Sequence, residues 1–239
     1  TWYAEIIQKG DISYMRFQTV LTTLGCAAIM VTAVTPAYAA TAKDSQLQPE
    51  ISQKVNRPIH LEGGENMRDL GGYRTKSGQR VKMGKVLRSA SLEKLTATDV
   101  LNLQVNHQLT EIVDLRTTEQ IMKKPDPVME GVKYLQASVL GTRSNYDDDD
   151  QGMYDDVAHK AAAILYSILG VSKRDIQRDY LLSNTQLGVT WAKPALLNSF
   201  YKQINQQSGS MAKYVKHGLK LSPAQIKVIK TNLLTKAPH

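Results

Sequence analysis

The 239-residue chain holds a single cysteine, Cys26, so it cannot form an internal disulfide. That is compatible with an exported protein without proving export. Aromatic residues make up 6% and include only two Phe and two Trp, which leaves the core mostly aliphatic. The apolar stretch Leu21–Val34 is short and is ended quickly by Pro36, too short for a good membrane span. The arginines form neither a basic helix nor a run interleaved with aromatics, and this argues against a nucleic-acid partner. No internal repeat is evident.

What is present fits one α/β domain behind a processed leader. A hydrophobic content of 42% is enough for a real core, and the net charge is +8. That balance suits phosphorylated or acidic partners, or an anionic cell surface. Met15-Arg16, the apolar stretch and Pro36-Ala37-Tyr38-Ala39 read as a secretory signal over 15–39, cleaved after Ala39. The protein is therefore expected to be exported, either secreted or held at the cell surface, with 1–14 as upstream translated residues. Ala40–Asn56 is polar and reads as a linker into a domain over 57–239.

Within that domain, Val81–Arg88 reads as a short strand or strand pair turning at Gly84. Ser91–Gln104 has helical spacing, and Thr96 three residues before Asp99 is an N-cap pattern. Leu109–Leu115 is apolar and β-branched, as expected of a buried parallel strand, and Val132–Val139 is a further strand candidate. A strand ending at Asp114 and Arg116 would place both where open α/β sheets bind ligands. Asn145–Asp156 reads as a solvated acidic loop; Asp147–Asp150 lack the spacing and glycine of a calcium loop. The remainder is helical: Ala161–Leu169 ending at Gly170, Lys173–Leu182, Trp191–Gln206, Met211–Gly218, and a helix opened by Ser222-Pro223 and running to Leu234.

The densest signal is residues 66–89. Arg68, Arg74, Arg80 and Arg88 alternate there with Gly71, Gly72, Gly78 and Gly84. Glycines permit tight turns and close backbone approach, and arginines supply planar forks for oxyanions. Asn66-Met-Arg-Asp-Leu-Gly-Gly72 resembles the opening signature of a bacterial family of secreted, cysteine-based tyrosine and dual-specificity phosphatases. Thr110–Arg116, Glu119 and Pro125-Asp126 resemble its second marker. Ala161–Val171 resembles the helix after its phosphate loop, and Asp179–Asn184 and Leu219–Leu234 follow in the family's order. The resemblance runs from about Val55 to Leu234.

It implies an α/β fold with a parallel central sheet flanked by helices and a helical C-terminal half. It also implies hydrolysis of phosphate monoesters through a cysteinyl-phosphate, with no cofactor and no metal. Partners would be phosphotyrosine or phosphoserine proteins, or phosphoinositides. Asp114 matches a site carboxylate, and Arg68, Arg88 and Arg116 are candidate phosphate ligands. Ion pairing that braces the strand end is an equal reading for Asp114 and Arg116, and Arg68 is open to two readings, a bracing pair with Asp69 or a contact to phosphate. His159 reads either as the remnant of the histidine that precedes the family's cysteine or as a lone exposed histidine, and Lys160 as a single lysine at the helix N-terminus that could attract an anion. The Cys-x5-Arg loop itself is missing before Ala161, and no other nucleophile is legible. By resemblance, about 30–40 residues are absent between Tyr154 and Ala161, including the strand feeding the loop. The expected consequence is an inactive chain; the alternative is a pseudophosphatase that holds phosphorylated ligands through the arginines and the helix N-terminus.

Overall fold

The computed structural model describes residues 58–137 and 150–236, with only the backbone of 150–159. The proposed signal over 15–39, the linker, Cys26 and Asp147–Asp149 lie outside the described residues. In order, the elements are β1 (Arg68–Asp69), β2 (Leu87–Arg88), α1 (Ala97–Val105), β3 (Glu111–Asp114), α2 (Thr118–Lys123) and β4 (Lys133–Gln136). There follow α3 (Asp150–Leu169), α4 (Lys173–Leu187), α5 (Pro194–Ser208), the short α6 (Met211–Lys213), a π-helical turn (Tyr214–Gly218) and α7 (Pro223–Leu233).

Local chemistry explains most boundaries. Thr96 and Asp99 form a reciprocal capping box that starts α1, as expected from their spacing. Thr117 with Gln120 does the same for α2, and Ser222 with Gln225 for α7, where Pro223 occupies the first turn. Two left-handed glycines, Gly188 and Gly209, end α4 and α5.

The centre of the molecule is α3. Its run Ala162–Tyr166, with Ile168 and Leu169, is buried nearly all round, as in a helix enclosed by its neighbours. Around it pack Ile176 and Tyr180 of α4, Phe200 and Ile204 of α5, and Ile229 and Leu233 of α7. The 66–89 segment closes the remaining side. Leu70, Tyr73 and Val81 join this core, Tyr73 meets Tyr166 edge-on with ring centroids 5.1 Å apart, and the Tyr166 hydroxyl donates to the Leu70 carbonyl at 3.1 Å. A smaller cluster of Met67, Leu95, Leu103 and Met129 lies under α1.

The sheet is sparser than the sequence implied. β1 pairs antiparallel with β2, and β3 pairs parallel with β4 in the register Glu111–Lys133 to Asp114–Gln136. Among the described residues these are two separate two-stranded sheets, and parallel pairing is confined to β3 and β4. The expectation of a buried strand over Leu109–Leu115 needs correction: Glu111, Ile112 and Val113 are only half-buried, and Asp114 alone is buried. A strand with one neighbour and little cover cannot bury both faces. Two further corrections concern α3 and the helix after it. Asp150–Asp156 is helical rather than loop, so Ala161 lies mid-helix and offers no N-terminal amides. The next helix continues past Leu182 to Leu187 before Gly188 ends it.

Candidate functional site

The Arg68 side chain points inward. It is fully buried, and its Nε lies 3.3 Å from Asp179 Oδ1 on α4. Nη1 donates to Asn66 Oδ1 at 2.5 Å and to Gln186 Oε1 at 3.1 Å; Nη2 donates to the Asp179 carbonyl at 3.1 Å and to Ser183 Oγ at 3.3 Å. Asn66 Nδ2 closes the network by donating to Ser183 Oγ at 3.1 Å. Arg88 is also buried, with Nη1 3.9 Å from Asp179 Oδ2. Two arginines thus converge on one carboxylate, an arrangement that compensates Asp179 inside the fold.

Asp69 works on the adjoining turns. Its Oδ1 accepts from the Gly71 amide at 2.8 Å and its Oδ2 from the Gly84 amide at 2.6 Å. Gly71 is required by close approach, since a Cβ there would lie 2.4 Å from Met83 Cα. Gly72 takes φ +92°, a conformation side chains resist. The signature therefore folds as a brace between the 66–89 turns and α4.

The second charged centre sits at the carboxyl end of β3. Arg116 Nη2 lies 2.7 Å from Asp114 Oδ2 and also 2.7 Å from Asp126 Oδ1, while its Nε donates to both Asp114 oxygens at 3.0–3.1 Å. Nη1 donates to the Lys124 carbonyl at 2.9 Å and faces Glu93 Oε2 at 3.4 Å. The Tyr134 hydroxyl of β4 donates to Asp114 in a short hydrogen bond.

One guanidinium among several carboxylates drives the two aspartates apart. Burial alone would raise Asp114, but hydrogen bonds from Arg116 and Tyr134 outweigh it and hold this carboxyl below the usual aspartate range. Asp126 is pushed up instead, by burial and by the Asp114 charge, against the pull of Arg116. Burial and the Asp114 hydrogen bond also raise the Tyr134 phenol. At neutral pH, Asp114 is thus an ionised hydrogen-bond acceptor, and of the two aspartates Asp126 holds a proton more readily. Sequence reading marked Asp114 and Arg116 but missed Glu93 and Tyr134, which reach the cluster from other elements. Pro125-Asp126 was legible as a motif, though not as part of this centre.

The structure brings Arg68 and Arg88 together around Asp179, and Arg116 together with Asp114, as two separate clusters. Lys160 packs near Phe200, its Nζ 5.9 Å from the ring centroid. Among the described residues no group of His, Cys, Asp and Glu is placed to hold a metal ion.

The tyrosine phosphatase family matches residues 59–161 and again 160–235. The chain belongs to the tyrosine phosphatase family. No curated protein matches it. Membership supports a phosphatase-like function, the hydrolysis of phosphate monoesters, and the mixed helix-and-sheet architecture is consistent with a phosphatase-like fold.

Proposed function

We propose that this chain derives from an exported tyrosine phosphatase of dual specificity, with phosphoinositides as further substrates, and that as written it lacks the segment carrying the nucleophile. The observation that carries the reading is the break in the family match. It ends and restarts at residues 160–161, where the sequence lacks a Cys-x5-Arg loop. The sheets support the same reading. β2 and β3 each have one partner among the described residues, and Ile112 and Val113 of β3 are left half-covered. A strand inserted between them would merge the two sheets and cover β3.

In that reading the restored loop precedes Ala161, and the amides of a helix starting there face the phosphate. A thiolate attacks phosphorus, the bond from phosphorus to the substrate oxygen breaks, and the departing oxygen takes a proton from an acid. Water then attacks the phosphocysteine and releases phosphate and the thiolate. Asp114 is assigned as a site carboxylate acting through its charge, because it is held ionised. Arg68, Arg88 and Arg116 are assigned as positioning residues that fix the turns and the end of β3.

Sequencing the locus between the codons for Tyr154 and Ala161 tests this. An interrupted or longer reading is expected there. A continuous reading of the same residues would remove the artefact explanation and leave a true deletion.

A further inference from the structure

The net charge of +8 is distributed very unevenly. Residues 1–179 hold 22 Lys and Arg against 22 Asp and Glu, whereas 180–239 hold eight lysines and no carboxylate side chain. The whole excess therefore comes from the last 60 residues. All eight of these lysines are exposed, on or beside α5, α6, the π-helical turn and α7. Leaving Lys220 aside, these lysines form no ion pair with a carboxylate among the described residues. Lys227 and Lys230 are three apart on α7 and share one of its sides, while Lys213 and Lys216 lie on α6 and the π-helical turn that follows it.

A second, independent feature lies on the same stretch. Trp191 and Leu196, 41% and 42% exposed, are the two large apolar side chains left open among the described residues of 180–239, and they flank Lys193 at the start of α5. Indole and leucine side chains beside lysine suit the boundary between headgroups and acyl chains, where the ammonium reaches back to the phosphates. A water-borne polyanion would have little use for exposed Trp191 and Leu196. Between α4 and α5 there is also a cleft of about 450 Å³ whose lining includes Lys173, Gln177, Asn198, Tyr201 and Lys202 and no carboxylate. That wall offers hydrogen-bond donors and positive charge to a phosphodiester headgroup.

We propose that the lysine-bearing C-terminal helices form a docking surface for an anionic lipid bilayer, held by lysine–headgroup attraction and by shallow insertion of Trp191 and Leu196. No helix among the described residues is long and apolar enough to cross a membrane, so the contact is with the surface. The proposal stands apart from the phosphatase reading and needs no catalysis.

The test is co-sedimentation of the full chain with vesicles of phosphatidylcholine, with and without phosphatidylglycerol. The comparison is with the triple variant Lys216→Glu, Lys227→Glu, Lys230→Glu and with Trp191→Ala. All the chains carry the same Leu21–Val34 stretch, so differences between them report on the C-terminal surface alone. Each lysine near an anionic surface is worth about fivefold in partitioning, and glutamate in its place adds repulsion, so the triple variant should lose more than about a hundredfold on phosphatidylglycerol vesicles. The loss should shrink as salt is raised. Trp191→Ala should weaken vesicle binding several-fold but leave heparin binding unchanged. The replaced side chains are exposed, and melting curves check that each variant stays folded. Equal partitioning of wild type and triple variant would overturn the proposal. So would full sensitivity to the lysines combined with indifference to Trp191→Ala, which would make the surface a site for soluble polyanions.

Discussion

Arg68 and Arg116 are both buried arginines facing aspartates, yet they hold different kinds of structure. Arg68 is fully enclosed and ties the 66–89 turns to α4 across more than a hundred residues of chain, inside the wall of the main aliphatic core. Arg116 retains some exposure, faces three carboxylates, and ties together neighbours from the 93–126 stretch beside a half-covered strand. The first joins two well-packed regions. The second holds together a region in which hydrophobic packing is thin. The contrast shows where this family's fold still supports itself in the chain and where it leans on charge.

Breaking Arg68 should have the largest effect. Arg68→Met removes the main partner of buried Asp179 and leaves Asn66 and Ser183 with fewer partners, at a cost of about 3–5 kcal/mol in urea unfolding. Arg116→Met should cost less, about 2 kcal/mol, because Tyr134 still donates to Asp114, Asp126 takes up a proton more readily than an ordinary aspartate, and Glu93 keeps some exposure. An equal or reversed order of the two midpoints would undo the distinction between the two centres.

Acid sharpens the comparison further. Asp114 and Asp99 both lie below the ordinary 3.8 of an aspartate; for Asp99, burial is outweighed by amides of Thr96, Gly63 and Glu62. A depressed folded value means stability that is complete above the unfolded value and lost as pH falls through the folded one. Denaturation midpoints should therefore drop below about pH 4, and Asp114→Asn should flatten part of that slope. Asp126 has the opposite sign, since its ionised form is disfavoured in the fold. Asp126→Asn should thus have a weaker effect at neutral pH than Asp114→Asn, as read from melting temperature.

Smallest of all is the hydroxyl between the signature and α3. Tyr166→Phe keeps the ring against Tyr73 and loses only the bond to the Leu70 carbonyl, about 1 kcal/mol. A loss as large as that of Arg68→Met would mean that the two halves are joined chiefly through the tyrosines.

Much of this was legible from sequence where the cause is local. Thr96 with Asp99, Ser222-Pro223 and Gly170 mark helix ends through neighbours a few residues away, and each boundary falls within a residue or so of its signal. The α/β class came from chain length and from the family resemblance, and the mixed helices and small sheets are consistent with it. What sequence could not settle was non-local. Arg68 finds its partner 111 residues away, so its choice between phosphate and Asp179 depends on how α4 docks. Glu93 and Tyr134 meet Arg116 from separate elements, and no spacing announces them. The phosphatase pattern puts a loop before Ala161 and so implies a helix start there; in this chain the helix already begins at Asp150.

This chain of the tyrosine phosphatase family has Cys26 as its single cysteine and no Cys-x5-Arg sequence, and on the proposed reading it keeps much of the scaffold without a nucleophile. Arginines and carboxylates paired among themselves stabilise charge but give no covalent route to phosphoryl transfer. The most direct measurement is hydrolysis of an aryl phosphate by the purified chain, with and without vanadate. The expected result is no vanadate-sensitive turnover above buffer, with activity gained only when a Cys-x5-Arg loop and its strand are inserted before Ala161. Robust turnover by the unmodified chain, abolished by Asp114→Ala, would contradict that reading.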